Sequence, residues 1–169
     1  MKQASSTAGF ALWPALLYFV VAYVLVTVLA AALTIAYGAI HRLPEVVQGR
    51  SILETPAFVA TVPYHVLIMV LVWPVFAWLY FRKRILGPGS ERRETLRLAL
   101  LWLVLAMVVD FVGFVLIDNP WSLTPHEFYV IYQPWISLIY LAIFSAPWIR
   151  LAVARAIPKR IGTRGFEHL

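Results

Sequence analysis

Four long apolar stretches separated by short polar ones set the pattern of this chain. The first runs from Phe10 to about Leu33, the second from Pro56 to about Phe81, the third from Leu98 to Ile117 and the fourth from Pro125 to about Trp148. Twenty residues of helix span about 30 Å, the thickness of a bilayer's hydrocarbon core. The pattern predicts an all-α protein: one polytopic integral membrane four-helix bundle over residues 1–169, with spans at about 11–33, 56–81, 97–117 and 125–148.

Local signals set the helix ends. Thr55-Pro56 reads as an N-cap followed by proline in the first turn, although Ser51 and Glu54 offer a competing capping box. The turn at Gly87 to Ser90 leaves Ser90 as N-cap of the third helix, which Asp118-Asn119-Pro120 ends. Thr124-Pro125-His126-Glu127 combines an N-cap threonine, a first-turn proline and a capping-box glutamate, and is the strongest local signal in the chain. Pro63 and Pro74 predict kinks in the second helix, because each removes one backbone hydrogen bond. Residues 36–55 carry His41, Arg42, Glu45, Arg50 and Glu54 and are too polar and interrupted to span; Ile40, Leu43, Val46 and Val47 suggest a short surface helix. The lead MKQASSTAG has one cation and precedes an apolar run longer than that of a secretory signal, so the first helix reads as a retained anchor. On it, Tyr23, Thr27, Ala30, Ala31 and Thr34 recur at three- and four-residue spacing, a stripe suited to close helix packing. Thr-Pro openings on the second and fourth helices, with Pro63 and Pro134 further in, suggest two related hairpins.

Composition agrees with that pattern. The chain is 62% hydrophobic and 13% charged, with a mean hydropathy of +0.82. Its net charge of +6 does not read as a nucleic-acid surface, since the cations sit between apolar runs. The absence of cysteine excludes disulfides, thiolate metal sites and thiol nucleophiles. Of 14 cations, six lie between Arg82 and Arg97, five from Arg150 onward and one at Lys2, against Arg42 and Arg50 on the opposite side. The positive-inside rule then places both termini (N-in/C-in), the Arg82–Arg97 loop and the basic tail 150–169 in the cytoplasm of a cell-membrane protein of bacterial style. The basic loop and tail would also rest on anionic lipid.

Candidate chemistry centres on Asp110, the one carboxylate inside the third apolar run. An ionisable group there costs at least ~2.5 kcal/mol near the bilayer centre and requires a partner or water. Counting along the helices puts His65, Asp110 and Gln133 at a similar depth below the outer boundary, with Tyr64, Tyr132 and Tyr23 nearby and Pro63 and Pro134 flanking them. These six are the candidate ligand-binding residues of an outward-facing polar site. A small polar molecule, a lipid headgroup or a proton would suit it. A membrane-embedded enzyme acting on a lipid-linked substrate, with His65 as general base oriented by Asp110, is an alternative. A non-catalytic subunit docking on another membrane protein through the small-residue stripe is a third. The His65 and Asp110 pair could equally serve only to fix helix register.

Other constellations carry less. His41, Glu54, His126 and Glu127 have no spacing typical of a metal site, so no metal and no cofactor is expected. A single intramembrane histidine argues against bis-histidine haem. No GxSxG motif accompanies Ser137 or Ser145. Trp73, Trp102 and Trp148 suit an interfacial aromatic belt. Four spans, both termini inside and a carboxylate near the outer end of the third helix resemble the lipoprotein signal peptidases in architecture. That resemblance implies two catalytic aspartates, on the third and fourth helices, with Asp110 in the position of the first. The fourth helix here, EFYVIYQPWISLIYLAIF, carries Gln133 and no aspartate, and the family's asparagine-rich motifs are missing. The resemblance therefore stays architectural.

Overall fold

The computed structural model describes residues 10–44, 51–84, 89–119 and 121–157, and every regular element among them is helical. Four long helices form: α1 (Leu12–His41), α2 (Pro56–Arg82), α3 (Ser90–Asp110) and α4 (Trp135–Ala156). Each is long and apolar enough to cross a membrane, α3 together with the π-helical turns Phe111–Leu116 that continue it. A second π-helical segment, Glu127–Ile131, precedes α4, and a 3-10 turn, Ile52–Glu54, precedes α2.

Several helix ends differ from the sequence reading. α1 continues eight residues past Leu33, because residues 34–41 hold no proline and no charged side chain, and their one glycine, Gly38, is tolerated inside the helix. It stops at Arg42, which takes the left-handed conformation (φ 50°), while the Leu43 N–H closes onto the Gly38 carbonyl at 2.9 Å. Ile40 thus belongs to α1, and residues 45–50 of the suggested surface helix lie outside the described residues. Thr55 precedes α2, but its hydroxyl donates back to the Ile52 carbonyl (2.8 Å) rather than accepting from the helix. Gly89, at φ 90°, takes the N-cap position expected for Ser90, a conformation open to glycine. α2 runs unbroken through Pro63 and Pro74, whereas the fourth apolar run breaks after Ile131 and resumes as α4 beyond Pro134. α4 reaches Ala156, so Arg150 and Arg155 are helical and not part of a tail; residues 158–169 and Lys2 lie outside the described residues.

The helices alternate in direction. α2 and α4 are the central pair, α1 packs on α2, and α3 packs on α4, while α1 and α3 meet only sparsely. One end of the bundle, here the basic end, carries Arg82, Lys83, Arg84, Arg92, Arg93 and Arg150. It is tied by charge and hydrogen bonding: Glu94 of α3 accepts from the Tyr80 hydroxyl (2.5 Å) and pairs with Arg84 (3.1 Å), and Glu91 pairs with Arg150 (2.6 Å). Arg150 also lies over the Phe81 ring, 4.4 Å from its centroid. The core sits in this half. Trp73 and Trp102 are fully buried, 5.2 Å apart, with Phe19, Tyr80, Phe81 and Ile143 in the same cluster. They are core residues and not an interfacial belt. The Trp102 indole N–H donates to the Ala15 carbonyl at 2.9 Å, so burial leaves it satisfied.

Candidate functional site

Toward the other end, where α1 and α3 meet only sparsely, lies a cavity of about 360 Å³, within the ordinary range for small-molecule pockets. The floor is the aromatic core, where Trp73 and Ile143 close the space. Phe114 from the π-helical end of α3, and Leu123, Phe128 and Tyr132 from the segment before α4, form the opposite wall. Both π-helical segments contribute to that wall. Their irregular backbone is satisfied locally: the Leu123 N–H donates to the Phe114 carbonyl (2.7 Å) and the Asn119 amide to the carbonyls of Gly113 and Ile117 (both 2.8 Å). π-helical insertions of this kind recur at functional sites.

α1 supplies the remaining wall. Its stripe of small and hydroxylated residues serves both the contact with α2 and the cavity wall. Thr34 bonds Thr61 of α2 (2.8 Å), and Gly38 faces Ala57 so closely that an added Cβ would sit 3.4 Å from the alanine's, which is the close packing the spacing suggested. Tyr23, Thr27, Ala30 and Ala31 line the cavity, and Thr34 borders it as well. Thr27, Ala31 and Ile35, and Trp121 beyond α3, line it and are themselves exposed. The cavity therefore opens on the flank of the bundle between α1 and the segment after α3.

Asp110 and His65 both border this space. Asp110, 7% exposed, sits where α3 turns π-helical and accepts a short hydrogen bond on Oδ1 from the Tyr23 hydroxyl of α1. The Tyr140 hydroxyl of α4 lies beside the same carboxylate without closing a hydrogen bond to it. His65, 6% exposed, is held on the α1–α2 wall by the Thr34 hydroxyl, 2.9 Å from Nε2, and by the Phe58 ring packed edge-on at 5.5 Å. Phe58 in turn touches Tyr132 at 5.6 Å.

The six candidate residues thus separate. Asp110, His65, Tyr23 and Tyr132 line one cavity. His65 and Asp110 are not hydrogen-bonded to each other. Phe19 of α1 packs against Trp73 and Thr34 against Thr61, and this register sets His65 one to two turns, about 6–10 Å, from the level of Tyr23. Gln133 is exposed on the outer face, bonded to the Tyr129 carbonyl (3.3 Å) and to Ser137 (2.7 Å). It therefore does not join the polar site in which the sequence reading put it. Tyr64, 54% exposed, also points away. The cavity face of the fourth apolar run carries Tyr132, Ile136, Ile139 and Ile143, a helical spacing that leaves Gln133 and Ser137 on the opposite side. Sequence reading missed Tyr140, whose seven-residue offset from Gln133 gave no usable signal across a broken helix, and Glu94, hidden among the cations of its loop.

Among the described residues, no group of three or more histidine, aspartate and glutamate side chains is placed to hold a metal. Comparison of the chain with protein-family models, curated proteins and solved structures gave no match in any of the three.

Proposed function

We propose that this protein is a four-span integral membrane protein, both termini cytoplasmic, whose cavity takes a small lipophilic or amphiphilic ligand from the bilayer. One observation carries the reading: a cavity of about 360 Å³, apolar over most of its wall, opens on the flank of the bundle and holds a buried carboxylate. Large apolar side chains such as Leu17, Val28, Leu71, Val104 and Leu141 cover the exterior of all four helices, a surface suited to lipid. The cations gathered at one end support a cytoplasmic basic end resting on anionic lipid, and the exposed apolar face of α1 leaves room for a membrane-protein partner.

Binding is favoured over the enzyme reading by the geometry of the two polar groups. A general base oriented by a carboxylate needs the pair within hydrogen-bond reach, and here Thr34 and not Asp110 holds His65. The aromatic floor favours binding over a continuous transport path.

The test is thermal stability of the detergent-purified protein with and without a membrane lipid extract. Wild type is expected to gain stability from the extract. Asp110→Asn and Ile139→Trp, the latter filling the cavity, are expected to lose that gain. An equal gain in all three, or none in wild type, overturns the proposal.

A further inference from the structure

We infer that the ligand of this cavity is a lipophilic organic cation, an ammonium carried on a small apolar or aromatic body, with its charge set against Asp110. The inference rests on the proposal that the cavity takes a ligand from the bilayer, and it adds the ligand's charge and shape.

The first argument is charge balance. Asp110 lies in an apolar surround where a carboxylate holds its charge only beside an opposite one. Tyr23 occupies Oδ1 as a neutral donor. Among the described residues that line the cavity none is a lysine or arginine, and His65 is held on a separate wall by Thr34. The cations of the basic end are on the far side of the Trp73 and Trp102 layer, and Arg84 and Arg150 are paired with Glu94 and Glu91. A cationic ligand completes the site. A fatty acid or a phosphate would bring no charge that Asp110 could balance.

The second argument is the wall. Phe58, Trp73, Phe114, Trp121, Phe128 and Tyr132 all line the space, and aromatic faces attract ammonium groups through the negative potential of the ring. The third is access: a flank opening admits a molecule already dissolved in the bilayer, as lipophilic cations are.

The experiment compares benzyltrimethylammonium with neopentylbenzene, its neutral isostere, in neutral maltoside micelles at equal micellar concentration. Tryptophan fluorescence reads binding, because Trp73 and Trp121 line the cavity. The cation is expected to bind wild type at least tenfold more tightly than the isostere, and Asp110→Asn to lose that preference while keeping the isostere. Equal binding of the two by wild type, or a cation preference retained in Asp110→Asn, overturns the inference but leaves a ligand cavity standing. If neither compound binds wild type, both readings fall. The wild-type comparison decides the matter even where the variant does not fold. Displacement of the cation by phosphatidylethanolamine would identify a lipid headgroup as the source of the ammonium, and no displacement a free organic amine.

Discussion

At Asp110 a carboxylate among apolar helices is met by a hydroxyl from α1, two helices earlier in the chain. Tyr23→Phe removes that donor without changing the ring's shape. It is expected to destabilise the protein by about 1 kcal/mol, read by equilibrium unfolding in mixed micelles. Gln133→Ala, on the outer face, is expected to stay within about 0.5 kcal/mol of wild type in the same assay. The difference between these two residues marks the limit of the sequence at this scale. Asp110 and His65 stood out because any ionisable group in an apolar run must turn inward. Gln133 and Tyr64 could not be placed, because α1, α2 and α4 are apolar almost all round and so lack the polar stripe that would fix which way each residue faces.

For whole elements, the clearest signal was local chemistry. The capping box of residues 124–127 forms as its residue types require: the Thr124 N–H and hydroxyl both donate to Glu127 Oε2 (2.8 Å each), and the Glu127 N–H returns to the Thr124 hydroxyl at 3.2 Å. Thr124→Ala is expected to cost about 1 kcal/mol. The same bonds hold the exposed Glu127 carboxyl below the usual glutamate range. Its contribution is therefore complete above the ordinary glutamate pKa and is lost as the pH falls through the lowered one. The Thr124 amide resonance should accordingly follow the loss of this bond only as the pH falls below the ordinary glutamate pKa. Thr55 carries similar chemistry and does not cap, since the 3-10 turn before it offers the Ile52 carbonyl instead. The two π-helical segments had no sequence signal, because the bonds that close them, such as that from Leu123 to Phe114, come from irregular backbone that no residue pattern announces.

Over the whole molecule, four helices and their rough extents followed from the apolar runs, while the packing order did not. Run lengths say nothing of which helices touch, and the sparse meeting of α1 and α3 beside the cavity arises from that choice. Orientation is the remaining expectation at this scale, and a chain without cysteine makes it simple to examine. In intact cells an impermeant maleimide is expected to label His126→Cys, and to reach Arg92→Cys only after lysis. The reverse pattern would turn the protein over.

The layer of Trp73 and Trp102 beneath the cavity gives the site the form of a cul-de-sac. Among the described residues the flank is the way in, and a molecule that enters there leaves by the same door. Occupancy of such a chamber follows the concentration in the leaflet it faces, whatever lies across the membrane. On the proposed function, a protein in this conformation samples one leaflet, and net passage to the other would first require those two indoles to part.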